Sequence, residues 1–322
     1  MSHNINITNG KASIALAVQS AWHRLGQVLP DAFDAQTAIR EANMDWNVSL
    51  EPIFLSNGNQ VPEKQAVVRG DTGAVLGVVG SRYTPLQNRQ AFGFFDGVFG
   101  ADKARYESAG VLGNGEKVWM LARLPQEFDV LPGDVVKHYL LLTNSHDGSS
   151  PVTAIFTPIR VVCANTLSAG LRASKRGEMV RVFHTVSAES NLRVAGELLG
   201  KAGVFFDESK VQFMTMARTQ LRSMQIRKYI AHVVTNDATI AIDDLSTRAK
   251  NVVSEIEQLH DTGMGHDIRG VRGTLWGAYN AVTEYVDHRK SNDSLEYMAA
   301  AGGARMKSRA FEIAAELAQS LN

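Results

Sequence analysis

The sequence predicts an α+β protein, with a mainly antiparallel β-sheet and short helices in its N-terminal half and helices in its C-terminal half. Three observations lead to this fold class. β-Branched runs in the first 185 residues are separated by short turns rich in Gly, Asn and Asp, and strands joined by such turns pair antiparallel. Strands and helices do not alternate as they do in parallel α/β sheets. From residue 186 onwards, apolar residues recur every three or four positions, which is typical of amphipathic helices.

The sheet domain, residues 1–185, is expected to contain two units of strands followed by a helix. In the first unit Asp34 is a suitable N-cap, because its carboxylate can accept hydrogen bonds from free N–H groups of the first turn. The residues Gly70 to Gly73 are typical of a hairpin turn. In order, the predicted elements are a helix over Ala35–Asn43, an extended segment over Trp46–Leu55, hairpin strands Gln65–Arg69 and Ala74–Gly80, and a helix over Leu86–Phe99.

The second unit repeats this order with two tight turns. Gly113-Asn114-Gly115 favours a hairpin because Gly and Asn tolerate a positive φ, and His146-Asp147-Gly148-Ser149 indicates another turn. The predicted elements are strands over Arg105–Leu112, Lys117–Leu124, His138–Asn144 and Val152–Cys163, and a short helix over Thr166–Ala173 capped by Asn165.

The remaining region, residues 186–322, is predicted to be mainly helical and to pack on the sheet domain and on neighbouring subunits. Its glycine-rich segment Thr262–Gly273 indicates a flexible or ligand-facing loop. The predicted helices are Glu189–Ala202, Ser209–Arg222, Leu245–His260, Thr274–His288 and Lys307–Leu321, with one further strand over Gln225–Val234.

Charge is distributed unevenly along a chain whose net charge is zero. The 322 residues hold 33 basic and 33 acidic side chains, which excludes a uniformly basic nucleic-acid-binding protein and gives little electrostatic protection against self-association. Residues 157–228, however, hold 12 basic and 5 acidic side chains, a net charge of +7. Such a patch attracts polyanions even when the whole chain is neutral, although a solvated helix face or a subunit contact has the same charge pattern.

Composition also bears on the compartment and on cofactors. The single cysteine, Cys163, excludes an internal disulfide and a cysteine-based zinc site, and this usage fits a reducing cytoplasm. The sequence shows neither a secretory signal nor a run of about 20 apolar residues that would span a membrane. The nine histidines lack metal-binding spacing. We therefore expect a cytoplasmic protein with no metal, no cofactor and no membrane partner.

Two sets of candidate site residues follow. The first set is basic and would contact phosphate groups on and after the short helix and on the following helices; it comprises Arg160, Arg172, Lys175, Arg176, Arg181, Arg218, Arg222, Arg227 and Lys228. The second set is a candidate polar site and comprises Asn144, His146, Asp147 and Asn165. Turns and helix caps also favour these polar residue types for hydrogen bonding alone. No residue is assigned a catalytic role.

Several segments distributed over nearly the whole chain carry a resemblance to a known family. They are Trp22-His23-x-Leu25-Gly26, Gly77-Val78-Val79-Gly80-x-x-Tyr83, Gln87-Asn88, Trp119-x-x-Ala122-Arg123-Leu124-Pro125, Leu142 to Gly148, Thr157-Pro158-x-Arg160 to Leu167, and Arg272-Gly273-Thr274-x-Trp276-x-x-Tyr279 to Tyr285. The chain resembles the phage/plasmid-like protein family, a prokaryotic domain of unknown function. The resemblance implies a mobile-element origin and a cytoplasmic place of work, but no established activity.

Residues 105–173 are also similar in the order of their elements to single-strand annealing proteins of phages, which assemble as rings around a basic groove. With the basic middle segment, this likeness leads to our main hypothesis: an oligomeric protein that binds single-stranded DNA during recombination or annealing. The alternative is a non-enzymatic host-interaction or counter-defence protein that binds a host protein or a nucleotide signal. An enzyme ranks last, because the β-rich part lacks the clustered carboxylates of a metal-dependent nuclease.

Overall fold

A computed structural model describes residues 5–8, 10–17, 27–31, 33–99, 105–160, 165–166, 179–188, 190, 202–290 and 302–321. Strands predominate in the N-terminal half and helices in the C-terminal half. The α+β prediction is therefore confirmed. The strands are β1 (Ile7–Thr8), β2 (Lys11–Ala12), β3 (Ile14–Ala17), β4 (Gln27–Leu29), β5 (Val48–Phe54), β6 (Gln60–Arg69), β7 (Val75–Gly80), β8 (Arg105–Leu112), β9 (Lys117–Leu131), β10 (Asp134–Ser145), β11 (Val152–Arg160), β12 (Asn165–Thr166) and β13 (Met179–Val182).

The helices of the described residues flank these strands and follow them. They are α1 (Ala35–Glu41), α2 (Asn88–Phe99), α3 (Ala202–Arg218), α4 (Ser223–Thr235), α5 (Thr247–Thr262), α6 (Leu275–Glu284) and α7 (Gly302–Leu321), with a 3₁₀ turn over Ile242–Asp244 and a π-helical segment over Tyr285–Lys290. None of the helices described is long and apolar enough to cross a membrane.

The main sheet is a meander. β8, β9, β10 and β11 follow one another as antiparallel neighbours, and the sheet order is β12-β11-β10-β9-β8-β3-β4, with β13 also paired to β11. The exception to antiparallel pairing is β3 with β4. Gly113 and Gly115 adopt positive φ angles of 63° and 122° between β8 and β9. Glycine tolerates such angles, and the tight turn predicted here depends on them.

A second sheet, of order β5-β6-β7, packs against the end of this meander. Its close approach requires glycine at position 77, since a Cβ there would lie 2.6 Å from the Cα of Asp147. Helix α1 begins at the predicted cap, where the Asp34 carboxylate accepts the Thr37 N–H at 2.7 Å. A core that includes Trp46, Phe92 and Met120 joins both sheets to α1 and α2.

The helical region has its own core, which reaches the sheet at the β9–β10 turn. Phe213, Trp276 and Phe311 are buried in it together with Val130 and Val136 of the sheet. The Trp276 indole N–H donates to the buried Asp134 carboxylate at 2.8 Å. This hydrogen bond connects α6 to the first residue of β10.

Two predicted elements are wrong. The segment predicted as a strand over Gln225–Val234 belongs to helix α4, because Ile226, Tyr229, Ile230 and Val233 are spaced to bury one helical face. Asn165 does not cap a helix that starts at Thr166, since both residues form β12 and pair with Ile159 and Arg160. The rest of that predicted helix lies outside the described residues, as does nearly all of the helix predicted over Glu189–Ala202.

The last helix, α7, packs within its own chain. Its buried side chains include Met306, Phe311 and Ala314, and the Tyr229 hydroxyl of α4 donates to the Ala310 carbonyl at 2.9 Å. This buried apolar face of α7 therefore has its partners on helices of the same chain, whereas the sequence also suggested neighbouring subunits.

Candidate nucleic-acid interface

The turn between α3 and α4 carries the basic residues that the structure brings together. Arg218 is the last residue of α3 and Arg222 the residue before α4. The Arg222 backbone N–H donates to the Gln225 side-chain oxygen at 2.8 Å, which fixes the first turn of α4. Lys228 follows Met224 by four positions and Gln225 by three, so these three side chains share one face of the helix.

A glycine-rich loop, residues 262–273, is held against this turn by backbone hydrogen bonds. The Leu221 N–H donates to the Gly273 carbonyl at 2.8 Å, and the Leu275 N–H donates to the Thr219 carbonyl at 2.9 Å. Gly273 therefore contacts the turn directly, and Arg272 is the residue before it in the sequence. Two segments that are far apart in the sequence therefore meet at one place.

The loop is anchored at both ends. At its start, the Met264 N–H lies 3.1 and 3.3 Å from the two carboxylate oxygens of the buried Glu284. At its end, the Gly273 N–H donates to His260 Nε2 at 3.3 Å. Val271 is fully buried, and its carbonyl accepts the Thr274 hydroxyl at 2.6 Å. The sequence suggested a flexible or ligand-facing loop, and the contacts of these residues give it a defined conformation.

Five exposed cations lie on the turn, on helix α4 and on the glycine-rich loop, and we call them the basic surface. Its members are Arg218, Arg222, Lys228, Arg269 and Arg272. Among the ion pairs of the described residues, none involves these five side chains. Arg227 differs from them, because it is half-buried and lies 3.8 Å from Glu257 of α5. A group of exposed cations without bound carboxylates is suited to bind phosphate groups.

A cavity of about 660 Å³ opens beside the basic surface. Its volume lies within the range of about 300–1,000 Å³ that is usual for small-molecule sites. The lining residues are Gln220, Leu221, Arg222, Met224 and Gln225.

The nine basic residues predicted from the sequence do not all lie at this place. Arg181 is exposed on β13, opposite Thr153 of β11, and Arg160 ends β11. The prediction that Arg172, Lys175 and Arg176 bind phosphate lies outside the described residues, as does Cys163.

Sequence reasoning missed Arg269 and Arg272, because they lie in residues 229–322, which hold 9 basic and 13 acidic side chains. The local signal was the run Arg269-Gly270-Val271-Arg272-Gly273, in which one arginine lies on each side of the apolar residue Val271. Gly270 and Gly273 have φ angles of 94° and 75°. These values explain why the run needs glycine where the chain reverses around the buried valine.

The predicted polar site at Asn144, His146 and Asp147 forms a buried network at the end of β10. His146 Nε2 lies 2.8 Å from the side-chain oxygen of Asn88, which begins α2. The Asn88 amide donates to the Met44 carbonyl, so its oxygen accepts and His146 carries its proton on Nε2. The Asn144 amide donates to the Leu86 carbonyl at 3.1 Å.

A second histidine lies on the other side of this network. The His184 ring stacks on Tyr83 at 4.9 Å, and the Tyr83 hydroxyl lies 3.4 Å from the Ser145 carbonyl oxygen. Burial, with the neighbouring histidine as a smaller cause, lowers the pKa of His146 to about 3, and burial lowers the pKa of His184 to about 4. Both rings are therefore neutral at pH 7.

Asp147 stays ionised although it is partly buried. Burial raises its pKa, but hydrogen bonds from the Ser145 hydroxyl and from Ser149 outweigh this effect and leave the pKa below its usual value. His146 is fully buried, so its ring is not available to a substrate. The network connects the β10–β11 hairpin to α2 and to the second sheet, which is a structural role. Within the described residues, no cluster of three or more His, Cys, Asp or Glu is placed to hold a metal ion.

The comparison with protein families gives a match over most of this architecture. The profile of the family described as "Domain of unknown function (DUF932)" matches residues 75–319, about three quarters of the chain. The chain belongs to the DUF932 family. The DUF932 region starts at β7 and includes the meander, the buried polar network and all five residues of the basic surface. No curated protein and no solved structure matches the chain.

Proposed function

We propose that this protein binds nucleic acid, with single-stranded DNA as its ligand, through the basic surface. The observation that supports the proposal is that two distant segments, which together carry five exposed cations, are paired by the hydrogen bond from Leu221 to Gly273. Each arginine or lysine that neutralises a phosphate releases condensed counterions, and this release drives binding. The mechanism is non-covalent.

The proposal also covers the cellular process in which the protein acts and its oligomeric state. The resemblance to phage/plasmid-like proteins supports a mobile-element protein that acts in recombination or annealing in the cytoplasm of a bacterial host. A homo-oligomer would repeat the basic surface from subunit to subunit and lengthen the groove available to DNA. The order of strands β8 to β11 supports the strand part of the likeness to single-strand annealing proteins, whereas Thr166, where the likeness expected a helix, lies in β12.

The test is the affinity for a labelled single-stranded oligonucleotide over a series of salt concentrations. With five phosphate contacts, log K should fall with log salt with a slope of about −3.5, so a fourfold rise in salt weakens binding roughly a hundredfold. The double variant Arg222→Glu with Arg272→Glu should lose most binding. Its matched control, Lys64→Glu with Arg248→Glu, changes two exposed cations elsewhere by the same charge and should bind like the wild type. Equal binding by both variants, or a slope near zero, would contradict the proposal.

A second candidate function is docking of a host protein. Phe183 and Val186, which follow β13, are 63% and 92% exposed, and exposed apolar side chains favour protein contacts. If the wild-type protein captures a stoichiometric host protein and the variant Phe183→Ser with Val186→Ser does not, this function replaces DNA binding.

A further inference from the structure

The cavity beside the basic surface has a lining that phosphate binding alone does not require. Leu221 and Met224 are apolar, and Met224 is 58% exposed although it is a large hydrophobic side chain. Gln220 and Gln225 add side-chain amides. Phosphate groups need cations and N–H donors, so the exposed Met224 beside Arg222 in this lining indicates a ligand with an apolar part as well.

The hydrogen-bonding capacity of the amides is partly defined. The Gln225 oxygen accepts the Arg222 N–H at 2.8 Å. This bond leaves the Gln225 NH₂ group, which is a donor, for a ligand. Gln220 is exposed at the rim, where its backbone pairs with Thr274. The cavity therefore offers an apolar surface, amide groups and a cation within one short segment.

We infer that this cavity holds an unpaired nucleobase of the bound strand, with Met224 against the face of the base and the glutamine amides at its polar edge. The inference rests on the proposed function, because the phosphates on the basic surface bring the base to the cavity. A nucleobase has flat apolar faces and a polar edge, and side-chain amides are among the groups that read base edges. Bases of a duplex are stacked and paired, so the site selects single strands.

The experiment compares two probes that carry the same phosphates. One is a labelled oligothymidine, and the other is an oligonucleotide of equal length whose sugars carry no bases. The wild-type protein should bind the oligothymidine roughly five- to tenfold more tightly, as expected for one accommodated base. Duplex DNA of the same length should compete weakly.

The variant Met224→Ala keeps the charge of the surface and removes the apolar contact. It should reduce the ratio of the two affinities by about threefold while leaving the binding of the base-free strand unchanged. The matched control is Val211→Ala, which shortens another exposed apolar side chain, on α3. Because Met224 is exposed, the variant should keep the wild-type urea midpoint, which checks its fold.

The outcomes separate the two proposals. Equal, salt-dependent affinity of the wild type for both probes would overturn the base site and leave phosphate binding in place. An unchanged affinity ratio in Met224→Ala would overturn it as well. If neither probe binds at low salt, the proposed function fails and the base site fails with it.

Discussion

The buried histidine His146 predicts how the stability of this protein depends on pH. In the folded state burial holds its pKa near 3, whereas an unfolded chain has a histidine pKa of about 6.5. Between these values the unfolded state binds the proton and the folded state does not. The free energy of unfolding is therefore complete above about pH 6.5 and decreases as the pH falls toward 3.

The size of the effect follows from the same two values. Each pH unit between them corresponds to about 1.4 kcal/mol for one histidine, so acidification from pH 7 to pH 5 costs about 2 kcal/mol through His146 alone. His184 and His138, whose pKa values burial lowers to about 4, contribute in the same direction. The free energy of unfolding of the wild-type protein should thus decrease by more than the contribution of His146 alone.

The assay is urea unfolding of the wild type and of His146→Gln at pH 7 and pH 5. Glutamine does not titrate but retains an N–H group that can donate to Asn88. The decrease in the free energy of unfolding from pH 7 to pH 5 should be about 2 kcal/mol smaller in the variant than in the wild type. Between about pH 8 and pH 9, where the His146 ring is neutral in the folded and the unfolded state, the wild type and the variant should change alike, which serves as the control. An identical pH dependence in wild type and His146→Gln would refute the reasoning.

Two further predictions concern packing. Gly77→Ala should destabilise the protein by about 1–3 kcal/mol, because the new Cβ would meet backbone atoms of Asp147; Gly80→Ala in the same strand has open space and should change the urea midpoint little. Trp276→Phe should cost about 1.5–3 kcal/mol, because it removes the indole hydrogen bond to a buried carboxylate. Calorimetric unfolding measures both, and a neutral Trp276→Phe would show that the connection between helices and sheet does not depend on that bond.

Local chemistry made much of the fold predictable from the sequence. Asp34 caps α1 as expected, since a cap depends on neighbours within three residues. The turn around Gly113 was predictable for the same reason, because a tight turn needs particular backbone angles. The segment around Ile230 forms a helix rather than the predicted strand, because the three- and four-residue spacing of its apolar side chains buries one helical face in the core.

The candidate interface was only partly predictable. The net positive charge of residues 157–228 pointed to Arg218, Arg222 and Lys228. Arg269 and Arg272 join them through long-range backbone pairing between residues about fifty positions apart. Such pairing depends on the packing of the whole helical core, and neither composition nor periodicity in one sequence reports it. The burial that makes His146 structural is likewise a property of the assembled sheets and helices.

The anchoring of the glycine-rich loop bears on how fast the protein meets its ligand. A loop that must order itself on binding loses conformational entropy and slows association. Here Glu284 and His260 already hold both ends of the loop, and Val271 holds its middle. If the protein binds DNA as proposed, Arg272 is in position beforehand, and we expect encounter to be governed by diffusion and by long-range attraction between charges rather than by rearrangement of the chain.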